Sequence, residues 1–148
     1  MLQENTVSFI NNLARIASGY SSAMGKSVLA LEAYDKKNYL RDFTARYELP
    51  PDRLQLVPAN QTDTEKLRQW LCGEGKGRLK DRMIAKQFCW MLHRGFGDAR
   101  IIHVLGEDRS ALELLSKKEG DGPQFAVEDL FFAVYKEGTV CFLLGRSL

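Results

Sequence analysis

The last quarter of the chain contains the run Leu130–Leu144, which reads LFFAVYKEGTVCFLL. Both halves of this run are rich in β-branched and aromatic residues, and the Glu137-Gly138 pair between them permits a tight turn. We therefore expect a β-hairpin within residues 125–145. Because each half is apolar at nearly every position, both faces of the hairpin should be covered. An isolated hairpin is marginal in water, so either residues 54–57 join it as a third strand or it packs against a partner.

The chain before the hairpin, residues 3–118, is predicted to be helical. Apolar residues there recur at three- and four-residue spacing, which marks one face of a helix. The residues with this spacing are Val7, Ile10, Leu13 and Ala17, then Met24, Val28, Leu31 and Tyr34, with Leu40, Phe43 and Tyr47 continuing the second helix. Pro50-Pro51 must end that helix, because proline cannot donate a backbone bond and disfavours helix in the residue before it.

Capping residues position the later helices. Thr62-x-x-Glu65 is a capping box, so a helix should begin near Asp63. A longer helix is expected over residues 78–94, ended by Gly95 in the left-handed conformation. Two further helices are predicted, one capped by Asp98 and ending at Leu105, the other capped by Asp108 and ending at Lys118.

These signals together predict an α+β fold. We expect a mainly helical single domain over residues 1–148, with five or six helices packed around the helix at 78–94 and a C-terminal β-hairpin or small antiparallel sheet. A chain of 148 residues fits one domain and can bury a core of its own.

The composition is that of an ordinary globular protein, with 45% apolar and 27% charged residues, and not of a disordered chain. The three cysteines are odd in number and widely spaced, which favours reduced thiols and a cytoplasmic location over a disulfide framework. No signal peptide is visible, and the longest apolar run, Leu130–Tyr135, is far too short to span a bilayer. We therefore expect no membrane partner.

The charge is concentrated in one segment. The formal net charge is only +2, but residues 74–100 contain seven basic and three acidic residues, so this segment has a net charge of 7 − 3 = +4. Basic residues with an interleaved tryptophan could contact phosphates and stack on a base. The residues of this nucleic-acid-binding hypothesis are Lys76, Arg78, Arg82, Lys86, Trp90, Arg94 and Arg100. The alternative is a solvated charged face over a central helix, with Trp90 in the core.

Part of the same segment resembles a known family. Residues 91–96, MLHRGF, followed by Ile101 and Leu105, are similar to the helix-turn-helix repeat of the recombination-regulator RecX family. The resemblance covers about 25 residues, and it implies a second helix after Gly95, in an all-helical fold that binds a recombinase filament. The predicted C-terminal hairpin departs from that family.

The stretch Gly19–Ser27, GYSSAMGKS, resembles a phosphate-binding loop only in part. The motif needs a glycine at position 20, which is Tyr20, and it should follow a buried strand. Here it follows a helical pattern. We therefore predict a helix–turn–helix connection and no nucleotide site.

A metal site can be imagined at Cys89 and His93, which lie one helical turn apart, with His103 as a third ligand. The alternative is a core cysteine beside a half-buried histidine. A Cys89 nucleophile with a histidine base is disfavoured, because a buried thiol is inert. We predict no catalytic residues and no cofactor.

The sequence supports two functional hypotheses. The first is a non-enzymatic interaction or accessory protein whose C-terminal hairpin or helical surface binds a protein partner or a second copy of the chain. The second is nucleic-acid binding through residues 76–100. An enzyme whose site is assembled from distant residues is a third class that the sequence leaves open.

Overall fold

The computed structural model describes residues 4–73, 77–118 and 125–147. Within these ranges lie five α-helices, one short 3₁₀-helix and five β-strands. In chain order they are α1 (Glu4–Ser18), β1 (Ser27–Tyr34), α2 (Tyr39–Arg46), the 3₁₀-helix (Pro51–Arg53), β2 (Leu56–Ala59), α3 (Asp63–Cys72), α4 (Leu79–Phe96), β3 (Ile101–Leu105), α5 (Ser110–Lys118), β4 (Phe125–Val134) and β5 (Thr139–Ser147).

The five strands form one antiparallel sheet in the order β1-β5-β4-β3-β2. The two predicted hairpin strands are present as β4 and β5, joined by a tight turn in which Tyr135 N donates to Gly138 O at 2.8 Å. They form the centre of the sheet, with β1 on one side and β3 on the other. The expectation of a mainly helical domain with a small C-terminal hairpin is therefore wrong, because strands occur along the chain from β1 onward.

Helices of the chain itself cover both faces of the sheet. On the first face, the stacked rings of Phe131 and Phe142, 4.3 Å apart, pack with buried residues of α1, α3 and α4. On the second face, Phe132 meets Phe43 of α2 edge-on at 5.1 Å, within a cluster that includes Leu115 of α5. Alternate residues of β4 and β5 thus enter two separate cores, which explains why both strands are apolar at nearly every position.

Strand β1 lies where the sequence predicted a helix. A β-bulge between Val28 and Ala30 shifts the alternation of the strand by one residue. As a result Val28 and Leu31, three residues apart, both enter the first core, where they are 2% and 4% exposed. A bulged strand has here reproduced the three-residue spacing of a helix face.

The region after α4 also differs from the prediction. The helix does not end at Gly95 but continues through Phe96 and ends at Gly97, which has a φ of 78°. Asp98 does not cap a helix, because Ile101–Leu105 forms strand β3, paired with β4. The RecX-like pattern therefore corresponds to a helix followed by a strand. The helix that the resemblance implied is absent from this described segment.

Other local predictions are confirmed. Thr62 and Glu65 form both bonds of the capping box at the start of α3. Helix α2 ends before Pro50-Pro51, and Asp108 Oδ1 accepts from Ser110 N at 3.0 Å at the start of α5. Residues 54–57 were expected to join the sheet as one of two alternatives; Leu56 and Val57 do so, in the edge strand β2 (Leu56–Ala59).

Candidate interaction surface

Helix α4 lies in the layer on the first sheet face, antiparallel to α1. Near the start of α4, the Tyr20 hydroxyl donates to Asp81. Near its end, the rings of Phe9 and Phe96 lie 6.3 Å apart, and a Cβ added to Gly95 would stand 3.0 Å from the Phe9 ring. Because the end of each helix meets the beginning of the other, the two run in opposite directions.

The inward side of α4 is a core surface. Its buried residues are Asp81, Ala85, Phe88, Cys89, Leu92 and Phe96. Phe96 lies against Tyr135 of the β4–β5 turn, with ring centroids 5.3 Å apart. Packing on this side fixes the rotation of the helix about its own axis, and therefore decides which side chains face outward.

The outward side of α4 exposes large apolar side chains. Leu79, Met83 and Trp90 are 64%, 59% and 54% exposed. At 100° per residue they lie within about 40° of one another around the helix. Met83 and Trp90 also line a depression of about 540 Å³, together with Lys86 and Gln87. We call the outward side the α4 face; it consists of the exposed residues Leu79, Arg82, Met83, Lys86, Gln87, Trp90 and Arg94.

The α4 face is basic. Arg82, Lys86 and Arg94 belong to it, and Asp81, which is 3% exposed and held by Tyr20, is the acidic residue of α4. Among the described residues none of the three basic side chains forms an ion pair. The Arg94 guanidinium lies 5.1 Å from the Trp90 ring, a cation–π distance. The surface therefore combines an apolar ridge with positive charge that is not paired with any carboxylate of the described chain.

The residues of the predicted basic stripe have different positions. Arg82, Lys86, Trp90 and Arg94 lie together on the α4 face, and Arg78 is exposed at the residue before the helix. Lys76 lies outside the described residues. Arg100 follows α4 and borders a different depression, of about 670 Å³, beside the end of β2 and the start of α3. The stripe is thus exposed from residue 82 to 94, and Trp90 is not a core residue.

The three proposed metal ligands do not converge. Cys89 and His93 lie on the first side of the sheet, whereas the Cα partner of His103 is Phe132, so its side chain shares the second face. There the Tyr39 hydroxyl lies 2.8 Å from His103 Nδ1. Among the described residues no three histidine, cysteine, aspartate or glutamate side chains form a metal-binding group.

Cys89 and His93 have other environments. Burial raises the pKa of the Cys89 thiol to about 12, so the thiolate is strongly disfavoured. His93 Nε2 lies 3.2 Å from Asp63 Oδ1, and Asp63 also accepts from the Tyr135 hydroxyl. Within the described chain neither a hydroxyl nor a thiol is hydrogen-bonded to His93. This cluster therefore joins α3, α4 and the β4–β5 turn and supplies no activated nucleophile.

The segment Gly19–Ser27 joins a helix to a strand. Gly19 closes α1, Ser21 bridges to Ser27, and β1 follows. A phosphate loop has the opposite order, strand then helix. The predicted helix–turn–helix connection is wrong in its second half, and the Lys26 ammonium lies over the Trp70 ring at 4.7 Å.

Leu79 and Met83 were not among the residues of any predicted site. A helical projection contains the missing signal. At 100° per residue both side chains fall beside Trp90 and Lys86, on the side away from Ala85, Phe88 and Leu92. Several large apolar residues that lie next to one another on the polar side of a core helix are typical of an interaction surface.

Neither a scan against protein-family models nor searches of curated proteins and of solved structures finds a match for this chain. Among the described helices none is long and apolar enough to cross a membrane.

Proposed function

We propose that this protein is an interaction module that binds an acidic, amphipathic segment of a partner protein through the α4 face. The observation that carries the proposal is the row Leu79, Met83 and Trp90, each more than half exposed, on a helix surface whose charged residues are basic.

The apolar ridge favours a protein as the partner. Burying a side chain of this size removes apolar surface from water and contributes roughly 1.5–3 kcal/mol when burial is complete. Tryptophan, methionine and arginine are enriched in protein interfaces, and tryptophan and arginine often dominate the binding energy. A nucleic-acid backbone would use Arg82 and Lys86 but would have no apolar surface to place on Leu79 and Met83.

The charge favours an acidic partner over a second copy of the chain. In a symmetric dimer built on the α4 face, Arg82, Lys86 and Arg94 of one copy would approach the same residues of the other. A partner with carboxylates would instead pair with them. We therefore propose a different protein, and not a homodimer, as the occupant.

Other surfaces of the sheet are less suited to docking. The hairpin is covered, since Phe131, Phe132 and Phe142 are each 0% exposed. The edge strand β2 is short, and its bond from Gly106 N to Gln55 O implies that the backbone of Pro58 points outward, where it offers no N–H donor. Of the two surfaces in the interaction hypothesis, the C-terminal hairpin and the helical surface, we therefore retain the helical surface.

We also propose that the protein works in a reducing, cytoplasm-like compartment. All three cysteines are free and buried. Nothing in their packing requires an oxidising environment, and thiols of this kind are typical of cytosolic proteins.

The experiment compares three probes of similar length at about 0.15 M salt. They are an acidic amphipathic peptide, a duplex DNA and a single-stranded RNA, each titrated into the full chain. We expect the peptide to bind, and Leu79→Ser combined with Met83→Ser to weaken binding about tenfold or more, because complete burial of an apolar side chain of this size contributes roughly 1.5–3 kcal/mol. The control is Leu40→Ser, since Leu40 is a 37% exposed apolar residue of α2.

A second pair of variants separates the two classes of partner. Arg82→Glu with Lys86→Glu should weaken peptide binding, whereas Lys36→Glu with Lys37→Glu, exposed lysines before α2, should leave it unchanged. Nucleic-acid binding that survives the loss of Leu79 and Met83 but not the charge reversal would replace the proposed partner by DNA or RNA.

A further inference from the structure

We infer that the segment bound by the α4 face is itself an α-helix of about three turns, which lies along α4 in a coiled-coil-like register. The inference rests on the proposed function and specifies its partner. It is carried by the spacing of Leu79, Met83, Lys86 and Trp90, which follow one another at intervals of four, three and four residues.

This spacing is typical of the seam of a coiled coil, the row of side chains that lies between two packed helices. Alternating intervals of four and three place side chains at heptad positions d, a, d and a, so that they line one stripe. At 100° per residue the four residues span about 60° of the circumference of α4. Basic side chains that only contact phosphates do not need to recur at alternating intervals of four and three residues.

The backbone of α4 favours a helical partner segment over an extended one. Helical N–H and C=O groups are bonded within the helix, so α4 offers no edge to which a strand could add. A peptide that lay extended across Leu79, Met83 and Trp90 would lose water from its own backbone groups without gaining partners. A helix satisfies those groups internally and presents only side chains to the seam.

Lys86 gives the seam its specificity. It is the charged residue between Met83 and Trp90, in a row that is otherwise apolar. A polar residue at one seam position sets register and partner choice, because a mismatched partner would bury the ammonium without a counter-charge. We therefore expect an Asp or Glu of the partner opposite Lys86.

Basic residues at the positions that flank the seam also favour an acidic partner. In this register Lys80 and Arg94 are at e positions and Arg82 is at a g position, and all three are exposed. Flanking charges of coiled coils select partners of opposite charge. The partner helix should accordingly carry acidic residues on both sides of its apolar stripe.

The ends of the seam limit its length. The next seam position after Trp90 is His93, which is held by Asp63, and the one after it is Gly97, which ends the helix. From Leu79 to Trp90 the ridge is about 16 Å long, which corresponds to about three turns of a partner helix.

The test uses three synthetic peptides of identical composition, labelled for fluorescence anisotropy and titrated with the full chain. The first carries apolar residues at the complementary spacing, with a glutamate opposite Lys86. In the second the same residues are distributed around all sides of the helix. All three peptides contain one proline. The third keeps the order of the first, except that its proline changes places with a central residue, where it breaks the helix. We expect the first to bind at least about tenfold more tightly than the others.

The outcomes distinguish this inference from the function on which it rests. Equal affinity for all three peptides would contradict the helical register, and the proposed binding of an acidic segment would still stand. The absence of binding by every peptide would count against the proposed function, and the inference would fall with it.

A charge exchange tests the role of Lys86. Lys86→Glu should weaken the first peptide about tenfold, and a peptide with lysine in place of the central glutamate should recover most of that loss. The control is Lys37→Glu, an exposed lysine away from α4. If both variants behave alike, or if the exchanged peptide recovers nothing, the register around Lys86 is wrong. Circular dichroism of each variant checks that α4 is intact.

Discussion

At the scale of single residues, Asp63 joins three elements of the fold. It is 1% exposed, and it accepts from Thr64 N at 2.8 Å and from the Tyr135 hydroxyl. His93 Nε2 of α4 lies 3.2 Å from its carboxylate. Burial and the neighbouring carboxylate raise the pKa of Tyr135 well above its usual range, so the phenol remains a donor. The first turn of α3 is thereby attached both to α4 and to the centre of the sheet.

Replacement of Asp63 should therefore be costly. Asp63→Ala leaves the buried Tyr135 hydroxyl without its acceptor, and we expect a loss of about 3 kcal/mol in the free energy of unfolding. Tyr135→Phe alone should cost about 1 kcal/mol, and the double variant should cost less than the sum of the two. Urea unfolding measures all three. The control is Asp52→Ala, because Asp52 is exposed in the 3₁₀-helix, away from this cluster. Strictly additive losses would show that Asp63 and Tyr135 are not coupled.

Gly145 is required by the close approach of two strands. It pairs with Ser27 of β1 and Val127 of β4, at the level where both neighbouring strands carry a bulge. A Cβ at this position would overlap the carbonyl oxygen of Ala126 and stand 2.7 Å from Leu29 Cδ1. We expect Gly145→Ala to lower the free energy of unfolding by about 3 kcal/mol, at the upper end of overpacking costs.

Gly19→Ala is the matched control for that measurement. The nearest atom to a Cβ at Gly19 is the Ile16 carbonyl oxygen at 3.6 Å, an ordinary contact. If Gly145→Ala unfolds at the same urea concentration as Gly19→Ala, the packing assigned to the two bulges is wrong.

The buried thiols predict how stability depends on pH. Burial raises the pKa of Cys89 to about 12, and it raises the pKa values of Cys72 and Cys141 as well. The unfolded chain releases these protons first, near the usual thiol pKa of about 8.5. The associated stability is therefore complete below that pH and is lost as the pH rises toward 12.

Urea unfolding between about pH 7 and pH 9 measures this decline, because most tyrosines of the unfolded chain, with a pKa of about 10, are still protonated in that range. The free energy of unfolding should fall steadily above about pH 8.5, and Cys89→Ala should fall less steeply than the parent chain. A level or rising free energy over this interval would contradict the burial of the thiols.

At the scale of elements, the reliable sequence signals are those that act within one turn. The Thr62/Glu65 capping box begins α3 as predicted, since both of its bonds are made within four residues. Strand β1 was predicted as a helix because its bulge imitates helical spacing at Val28 and Leu31. Strand β3 was missed because Asp98 and Gly95 resemble a helix boundary. Its identity depends on pairing with β4, which lies some thirty residues later in the chain.

In the candidate site on α4, local properties must again be distinguished from properties that depend on packing. Its existence, its approximate bounds and its basic residues could be predicted, because they are local properties. The exposure of Leu79 and Met83 depends on which side of α4 packs in the first core, and a helical projection that places Phe88 and Leu92 on the inward side is needed to see it. The predicted site therefore included the basic residues of the α4 face and Trp90, and omitted Leu79 and Met83.

At the scale of the whole molecule, the arrangement of the sheet explains where a partner can dock. The order β1-β5-β4-β3-β2 places the last strand of the chain beside the first, and both faces of the central pair are covered by the chain's own helices. The hairpin composition predicted that covering but could not say what supplied it. Among the described residues, the large apolar side chains that remain most exposed once the sheet is covered lie chiefly on α4, in the helical layer of the first face.

The most direct measurement is the affinity of one acidic amphipathic peptide for two forms of the chain at about 0.15 M salt. The parent chain should bind it in a saturable manner, and the Leu79→Ser/Met83→Ser variant should bind about tenfold or more weakly. Because both residues are more than half exposed, the two forms should unfold at nearly the same temperature. Equal affinity of the two forms, or a parent chain that ignores the peptide and binds duplex DNA, would contradict the account.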